Sequence, residues 1–577
     1  MNYRTPLIAA FFFLVLGTSG CKPSGELAAL GDQSCNQAIT ISEVQGDRNR
    51  SPLVGETLNV GGVITLLQGS EGLFMQSREA DDNPATSEGL YIQSTALAGT
   101  LKPGDWVAVQ GTVSELGEGD DTLTALTDIS AWQACSSNLP LPIRELKLPV
   151  GQRDLEALEA MNLEWDEPLV LTDVYRQSQG DLRLSRDSVL PIPTEVARPG
   201  PDARRQLAIN RRSSIQARLD ESAQLALPAG ASLLSGSGVL GHDGRGLRLM
   251  LRDDLNSLEP RMYRNAPPAD GDIRIAAFNL HNYFNGNGRG AGFPTPRGAQ
   301  TAAEFQQQRS RLSAAIAEIK PQVLAVMELE NDGFGPYSAA ADFILDTESA
   351  TNSDWLAVFP GNPENPDEGI GTDAITVGLF YDEAAVELAG RARLLEVEPF
   401  GISSRVPLAQ AFRDKRSGEV FTVIVNHLKS KGSCPDTGRN SDLRDGQGCW
   451  NQARTQAAKA LARWARQLAD ATSRGRVLVV GDMNAYRMED PIATLVNAGF
   501  SDLTAPSGPR PSYTFFYRGE AGTLDYAFAT PELMPYVTAT RVLNINSPWP
   551  PGMELPQPWL RSSDHDPVIV DLGFISN

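Results

Sequence analysis

From Ile273 onward, six apolar runs each abut a cluster of polar or ionisable residues. They read "IRIAAFNLHNYF", "QVLAVMELEN", "VFTVIVNHLKSKG", "RVLVVGDMNAY", "GTLDYAFAT" and "RSSDHDPVIVDLGF". Runs of Val, Ile and Leu without polar alternation are the pattern of strands buried on both faces. Two intervening stretches, "AEFQQQRSRLSAAIAEIK" and "NQARTQAAKALARWARQLADA", place apolar residues at helical spacing. Doubly covered strands alternating with amphipathic helices imply a layered α/β domain, with functional groups gathered where the strands end.

The chain before this segment has a different texture. At 577 residues it exceeds what one core can organise, so several domains are expected. From Ala38 to about Leu139, short alternating stretches ("AITISEV", "TLNVGGVITLL", "GLFMQS", "GLYIQS", "DWVAVQGTVSEL", "TLTALTDIS") alternate with turn residues. They predict a small all-β barrel or sandwich over 36–139. A second β-rich region follows over 140–260, interrupted by a polar Arg-rich stretch near Arg198 to Arg218. The linker "NAPPADGD" then leads into the α/β segment, 272–577.

The N-terminal "MNYRTPLIAAFFFLVLGTSGC" reads as a secretory signal, too short to span a bilayer. Cys21 after small residues resembles a bacterial lipobox, although Thr18 stands where Leu is usual. The expectation is an exported protein, lipidated on Cys21 and anchored at the outer membrane or cell surface, or extracellular. Four further cysteines form two local sets, Cys35 with Cys135 and Cys434 with Cys449. In an oxidising compartment these read as disulfides, and without C-x-x-C spacing a zinc site is disfavoured. Closing loops of about 100 and about 15 residues would contribute roughly 4.7 and 3 kcal/mol. Fifty basic against 71 acidic residues leave a formal charge of −21. That balance argues against gripping a duplex by charge alone, but not against a metal-assisted enzyme.

The polar clusters share one chemistry. Glu328, Asp482, Asp525 and Asp564 with the amide of Asn279 are hard oxygen donors suited to Mg²⁺ rather than zinc. His427 and His565 offer proton transfer near neutral pH or donation to an anionic oxygen. Taken singly, each residue could be a turn former, a cap or a solvated strand end. Their concentration at strand ends is the informative feature: metal ligands, an Asp-oriented histidine and nearby cations suit in-line attack of water on a phosphodiester.

The ordered set FN, ELEN, NHLKSK, GDMNAY, LDYAF and SDHDP resembles the endonuclease/exonuclease/phosphatase superfamily. "GTDAITVGLFYD" and "CPDTGRNSDLRDGQGCWNQARTQAA" are similar to its bacterial extracellular nuclease subgroup (ExeM/NucH type). The front barrel likewise resembles the OB-like domain such enzymes carry, and 140–260 could be a second. The resemblance implies a four-layer α/β sandwich of two packed sheets flanked by helices. It implies that Glu328, supported by Asn279 and Asp564, holds Mg²⁺, with Mn²⁺ or Ca²⁺ as alternatives. His565, oriented by Asp525, would act at the scissile phosphate, and His427 would contact phosphate or protonate the leaving oxygen. Asp482 with Asn484 would position nucleophile and phosphate, leaving open which histidine is the base. Lys429 and Arg454 are candidate phosphate contacts, and Asp373 a candidate to orient His427.

The expected activity is hydrolysis of extracellular DNA or RNA. Barrel aromatics such as Phe74, Tyr91 and Trp106 could stack on bases. A sphingomyelinase-like or small-ester phosphodiesterase of the same superfamily is the alternative, and an inactive surface-binding module the third. No protein partner is evident.

Overall fold

The computed structural model describes residues 27–81, 83–118, 121–219, 226–252, 256–258, 269–361, 365–506 and 512–574. The signal segment and Cys21 lie outside them. The chain divides into two compact units, one running to Pro142 and including Ala157–Met161, the other holding the rest.

In the first unit, Thr57–Gln68, Gly72–Gln76, Gly89–Gln93, Asp121–Ser136 and Trp106–Glu118 pair in that order, and the last pairs back with the first. The result is a closed five-strand ring whose third and fifth strands in sequence, Gly89–Gln93 and Asp121–Ser136, run parallel. Closure removes free edges. Its interior is apolar, with Val60, Ile64, Leu73, Met75, Ile92, Val107 and Leu126 buried. Phe74 and Tyr91 are also buried and pack against each other, with ring centroids 4.9 Å apart. Neither is therefore a free stacking platform; Trp106, half-buried, lies under Arg78. A disulfide joins Cys35 to Cys135. One expected strand is corrected: most of "AITISEV" is the short helix Ile41–Gln45. Thr40 and Glu43 form a reciprocal capping box, and this local satisfaction of orphan donors outweighs the β-propensity of the run.

The second unit opens on another closed ring: Leu169–Asp173, Asp181–Arg186, Ser214–Arg218, Leu247–Leu251 and Ser232–His242, which returns to Leu169–Asp173. Its connectivity repeats the first ring, including the parallel third and fifth strands. The Arg-rich interruption contains the helix Pro201–Arg212 before the strand Ser214–Arg218. Only Ala203 and Asn210 of that helix are buried, so it carries no apolar period to read.

Two facing sheets follow. One orders Trp355–Ala357, Ile375–Asp382, Val323–Glu330, Ile273–Tyr283, Val568–Leu572 and Val537–Val542. The other orders Val386–Leu388, Leu408–Asp414, Val420–His427, Val477–Asp482, Asp525–Ala529 and Ser501–Asp502. Ile275, Ala325, Val377 and Val570 of the first meet Val423, Val425, Val480 and Ala527 of the second in one buried core. Residues one position along each strand point outward, as the two-residue side-chain period requires. There Phe278, Leu324 and Val326 receive Phe305, Leu312 and Ile316 of helix Ala302–Ile319. Ile424, Val479 and Phe528 receive Ala458, Leu461 and Leu468 of helix Asn451–Thr472. Fully burying each large apolar side chain is worth about 1.5–3 kcal/mol, which explains the unbroken apolar runs. The outcome is helices, sheet, sheet, helices. Two helices not anticipated above, Ala339–Thr351 and Asp490–Asn497, complete the outer layers. Cys434 and Cys449 are disulfide-bonded.

Candidate active site

Parallel strands present their C-terminal ends, and their antiparallel neighbours their N-terminal ends, on the same side of a sheet. That geometry brings the polar clusters together. In the second sheet, His427 is in register with Asp482, and Asp482 with Asp525. His565 precedes the strand Val568–Leu572 of the first sheet and reaches Asp525, Nδ1 to Oδ2, at 2.7 Å. Thr514 Oγ1 accepts from the backbone N–H groups of Leu524 and Asp525, fixing the carboxylate's strand end. His427 Nε2 lies 3.5 Å from Asp482 Oδ2. Asn484 donates its backbone N–H to Asp482 Oδ1 at 2.7 Å, and its side-chain amide bonds the Leu428 carbonyl. Gly481 has φ +135°, and a Cβ there would meet the Asn426 carbonyl oxygen at 1.9 Å, so the turn into Asp482 requires glycine.

The first sheet contributes Asn279 and Glu328. Asn279 Nδ2 donates to Glu328 Oε1 at 3.3 Å and to Asp482 Oδ2 at 3.4 Å, bridging the two sheets. Glu328 also accepts from the Asn282 backbone at 2.9 Å. Register shifts interrupt pairing at Asn279/Tyr283 and Met327/Leu329, re-aiming these side chains out of the ladder. His281, Asn282, Glu328 and Asn484 all have positive φ, between 47° and 62°. Four non-glycine residues in the left-handed region at one site mark stored backbone strain.

Electrostatics separates the groups. Burial, then neighbouring Asp525, pushes the Asp482 carboxyl up to about 7. Burial alone would lower His565, but Asp525, Asp564 and Asp482 outweigh it and hold the imidazolium well above its ordinary range. His427 goes the other way: burial, then Arg405 and other nearby cations, keeps it neutral. Its Nδ1 is buried without a hydrogen-bond partner among the described residues.

Several expected residues have other partners. Asp373 does not orient His427; it pairs with Arg297 at 3.0 Å and Arg405 at 3.4 Å. Arg454 is fully buried and donates to the carbonyls of Lys429 and Gln447, so it braces a loop and cannot touch phosphate. Lys429 lies over the Trp450 ring at 5.2 Å. Asp564 pairs with His281, Nδ1 to Oδ1, at 2.7 Å. His281, Arg297 and Arg405 were missed. The histidine inside "FNLHNYF" was the available signal for the first; the two arginines lie in loops and carry none.

The donors fit a hard divalent cation. Asp482, Asp525 and His565 place ligand atoms within 4.8 Å of one another. Asp525 Oδ1 is buried without a partner among the described residues, and burial, then the Asp525 carboxylate, raises the neighbouring Asp482. His565 Nδ1 is already committed to Asp525, so the oxygens of Glu328, which Asn279 steadies, are the better donors. Family members are phosphoesterase hydrolases and are typically dependent on a divalent metal.

Among solved structures, the chain is similar to an endonuclease/exonuclease/phosphatase from Bacteroides vulgatus, at 18% identity and TM-score 0.35, over 52% of this chain and 98% of that one. It is also similar to the human Nocturnin catalytic domain with bound sulfate anion, at 16% and 0.36, over 55% and 100%. A third is D. rerio TDP2 complexed with single strand DNA product, at 14% and 0.32, over 52% and 97%. No curated protein matches the chain. Residues 276–565, half of the chain, match the Exo_endo_phos family, and the protein belongs to this Endonuclease/Exonuclease/phosphatase family of hydrolases.

Proposed function

We propose that this protein is a divalent-metal-dependent nuclease that hydrolyses phosphodiester bonds by in-line attack of water. The observation that carries the reading is the row His427, Asp482, Asp525 in register across three strand ends, with His565 held by Asp525 at 2.7 Å. A buried carboxyl near 7 suits general-base work at neutral pH, so Asp482 takes the proton of the attacking water while Asn484 fixes its loop. The cationic His565 donates to the non-bridging phosphate oxygen as charge develops. Neutral His427 lies beside them to contact the phosphate. Glu328, steadied by Asn279, would hold Mg²⁺, or Mn²⁺ or Ca²⁺, which supplies Lewis-acid polarisation of the phosphoryl group when bound.

DNA is the favoured substrate, with RNA the alternative on the same chemistry. Arginines outnumber carboxylates seven to four in the cleft of about 870 Å³ beside the site, against the acidic character of the whole chain. The repeated connectivity of the two rings supports reading both as OB-like, and the Cys434–Cys449 loop supports the extracellular subgroup. Export and lipid anchoring on Cys21 complete the proposal. Plasmid nicking with and without EDTA tests it. Activity that survives EDTA, or a His565→Ala variant that cleaves as fast as wild type, would refute this mechanism. Hydrolysis of sphingomyelin but not plasmid would favour the lipid phosphodiesterase.

A further inference from the structure

The cleft beside the site has two walls, and one belongs to the second ring. Tyr175 and Arg176, on the loop after the strand Leu169–Asp173, line the cleft together with Phe515, Tyr517 and Arg518 of the hairpin Phe515–Gly522, and His281 and Asp564 also line it. The walls are fastened together. Leu190–Pro191 pairs in parallel with Glu520–Ala521, Thr172 Oγ1 donates to the Gly519 carbonyl at 2.6 Å, and Arg183 donates to the Arg518 carbonyl at 3.3 Å. The hairpin therefore hangs from the ring as much as from the catalytic sheets.

Two features of this cleft bear on what it could hold. Tyr175 is 68% exposed and Tyr517 52% exposed, one on each wall, and the Arg518 guanidinium lies over one face of the Tyr517 ring at 5.2 Å. Arg176, Arg297 and Arg518 reach the same space from the two walls and from the loop before helix Ala302–Ile319, and are exposed. Exposed aromatic faces interleaved with guanidinium groups are the physical requirements for a nucleic-acid strand whose bases are unpaired. A duplex offers its phosphates but hides its base faces in the stack, so it could use the arginines and not the tyrosines. In the first ring Phe74 and Tyr91 are buried against each other, and Trp106 is half-buried under Arg78.

We propose that the second ring is the substrate-binding module of this enzyme, holding an unpaired strand that flanks the scissile phosphate, with Tyr175 and Tyr517 as stacking platforms. This rests on the nuclease reading above and names the form of nucleic acid that the site takes. It also assigns a function to the 140–260 region, which showed none in the sequence.

Fluorescence anisotropy on the full chain, in EDTA to prevent cleavage, tests it with a labelled oligothymidine and a labelled hairpin duplex of equal length. Tyr175→Ala with Tyr517→Ala is expected to weaken oligothymidine binding by about tenfold or more and to change duplex binding less than twofold. Tyr175→Phe with Tyr517→Phe keeps the ring faces and is expected to bind oligothymidine like wild type. Equal affinity of the alanine pair and wild type for oligothymidine overturns the proposal, as does equal loss on both probes. Loss in the phenylalanine pair as severe as in the alanine pair would also overturn it, because stacking would not be the cause. Plasmid cleavage by wild type alongside unaltered oligothymidine binding by the alanine pair would remove this inference and leave the nuclease reading intact. If wild type cleaves no nucleic acid but hydrolyses sphingomyelin vesicles, both fall.

Discussion

Asp482 and Asp525 stand directly opposite each other on antiparallel strands, and each faces a histidine, His427 for the first and His565 for the second. Burial, then the Asp525 carboxylate, raises Asp482 to about 7, while Asp525 is bonded to the cationic His565. The pair thus divides into an orienting carboxylate and a basic one.

Asp525→Asn should preserve the shape of the site and remove the charge that keeps His565 protonated. We expect kcat to fall by about 10²-fold or more. With Asp525 neutral, burial acts on His565 less opposed, so the alkaline limb of the pH–rate profile should move to lower pH. Unchanged pH dependence would detach Asp525 from His565 function.

Divalent cation should stabilise the fold as well as support turnover. EDTA is expected to abolish cleavage and Mg²⁺ to restore it. In thermal unfolding, Mg²⁺ at a hundred times its Kd should add about 2.7 kcal/mol. Glu328→Gln should remove most of that increment while unfolding near the same temperature in EDTA. An unshifted wild-type melting curve would contradict the oxygen-donor site.

Arg274 and Asp571 form a buried bidentate pair between the strands Ile273–Tyr283 and Val568–Leu572, at 2.7 and 2.9 Å. Burial would raise the Asp571 carboxyl, but the hydrogen bond from Arg274 and other contacts outweigh it and hold it below its ordinary value. A lowered folded value means that this stabilisation is complete above the unfolded pKa of about 4 and is lost as pH falls through the folded value. Asp571→Asn should cost about 3–5 kcal/mol at pH 7 in urea unfolding. The difference from wild type should shrink toward pH 3.

Glu195 is buried and bonds Arg487 at 3.0 Å and the Thr523 backbone at 3.0 Å, tying the segment before helix Pro201–Arg212 to both site-bearing loops. Glu195→Ala leaves the Arg487 guanidinium without one of its two carboxylates, at a cost of about 3–5 kcal/mol. We expect a lower kcat with KM changed less, because Asp482 and Asp525 shift while the cleft arginines stay. A variant with wild-type kcat would show that the segment is not needed for catalytic geometry.

Much of the α/β region was legible. Apolar runs at Ile273, Val323, Val420 and Val477 identified strands because a doubly covered strand has no polar face to hide. The two long amphipathic helices were visible because each buries one stripe. The helix Pro201–Arg212 was not, since its contacts are polar and specific, as Asn210 bonding Pro191 and Glu520 illustrates. "AITISEV" misled because a capping box decided a segment too short for periodicity to speak.

Residue type and position along the chain determined which groups could do the chemistry: carboxylates, amides and histidines at the ends of buried strands. Partnership was decided by the tertiary structure. Asp373 and Arg454 looked like site residues and are spent on Arg297, Arg405 and loop carbonyls, whereas His281 looked incidental and holds Asp564. The reason is that strand register and the facing of two sheets bring together residues such as Asn279 and Asp482, 203 positions apart, and no local pattern encodes that distance. The same holds for the cleft, whose two walls are joined by the pairing of Leu190–Pro191 with Glu520–Ala521 and the bonds beside it.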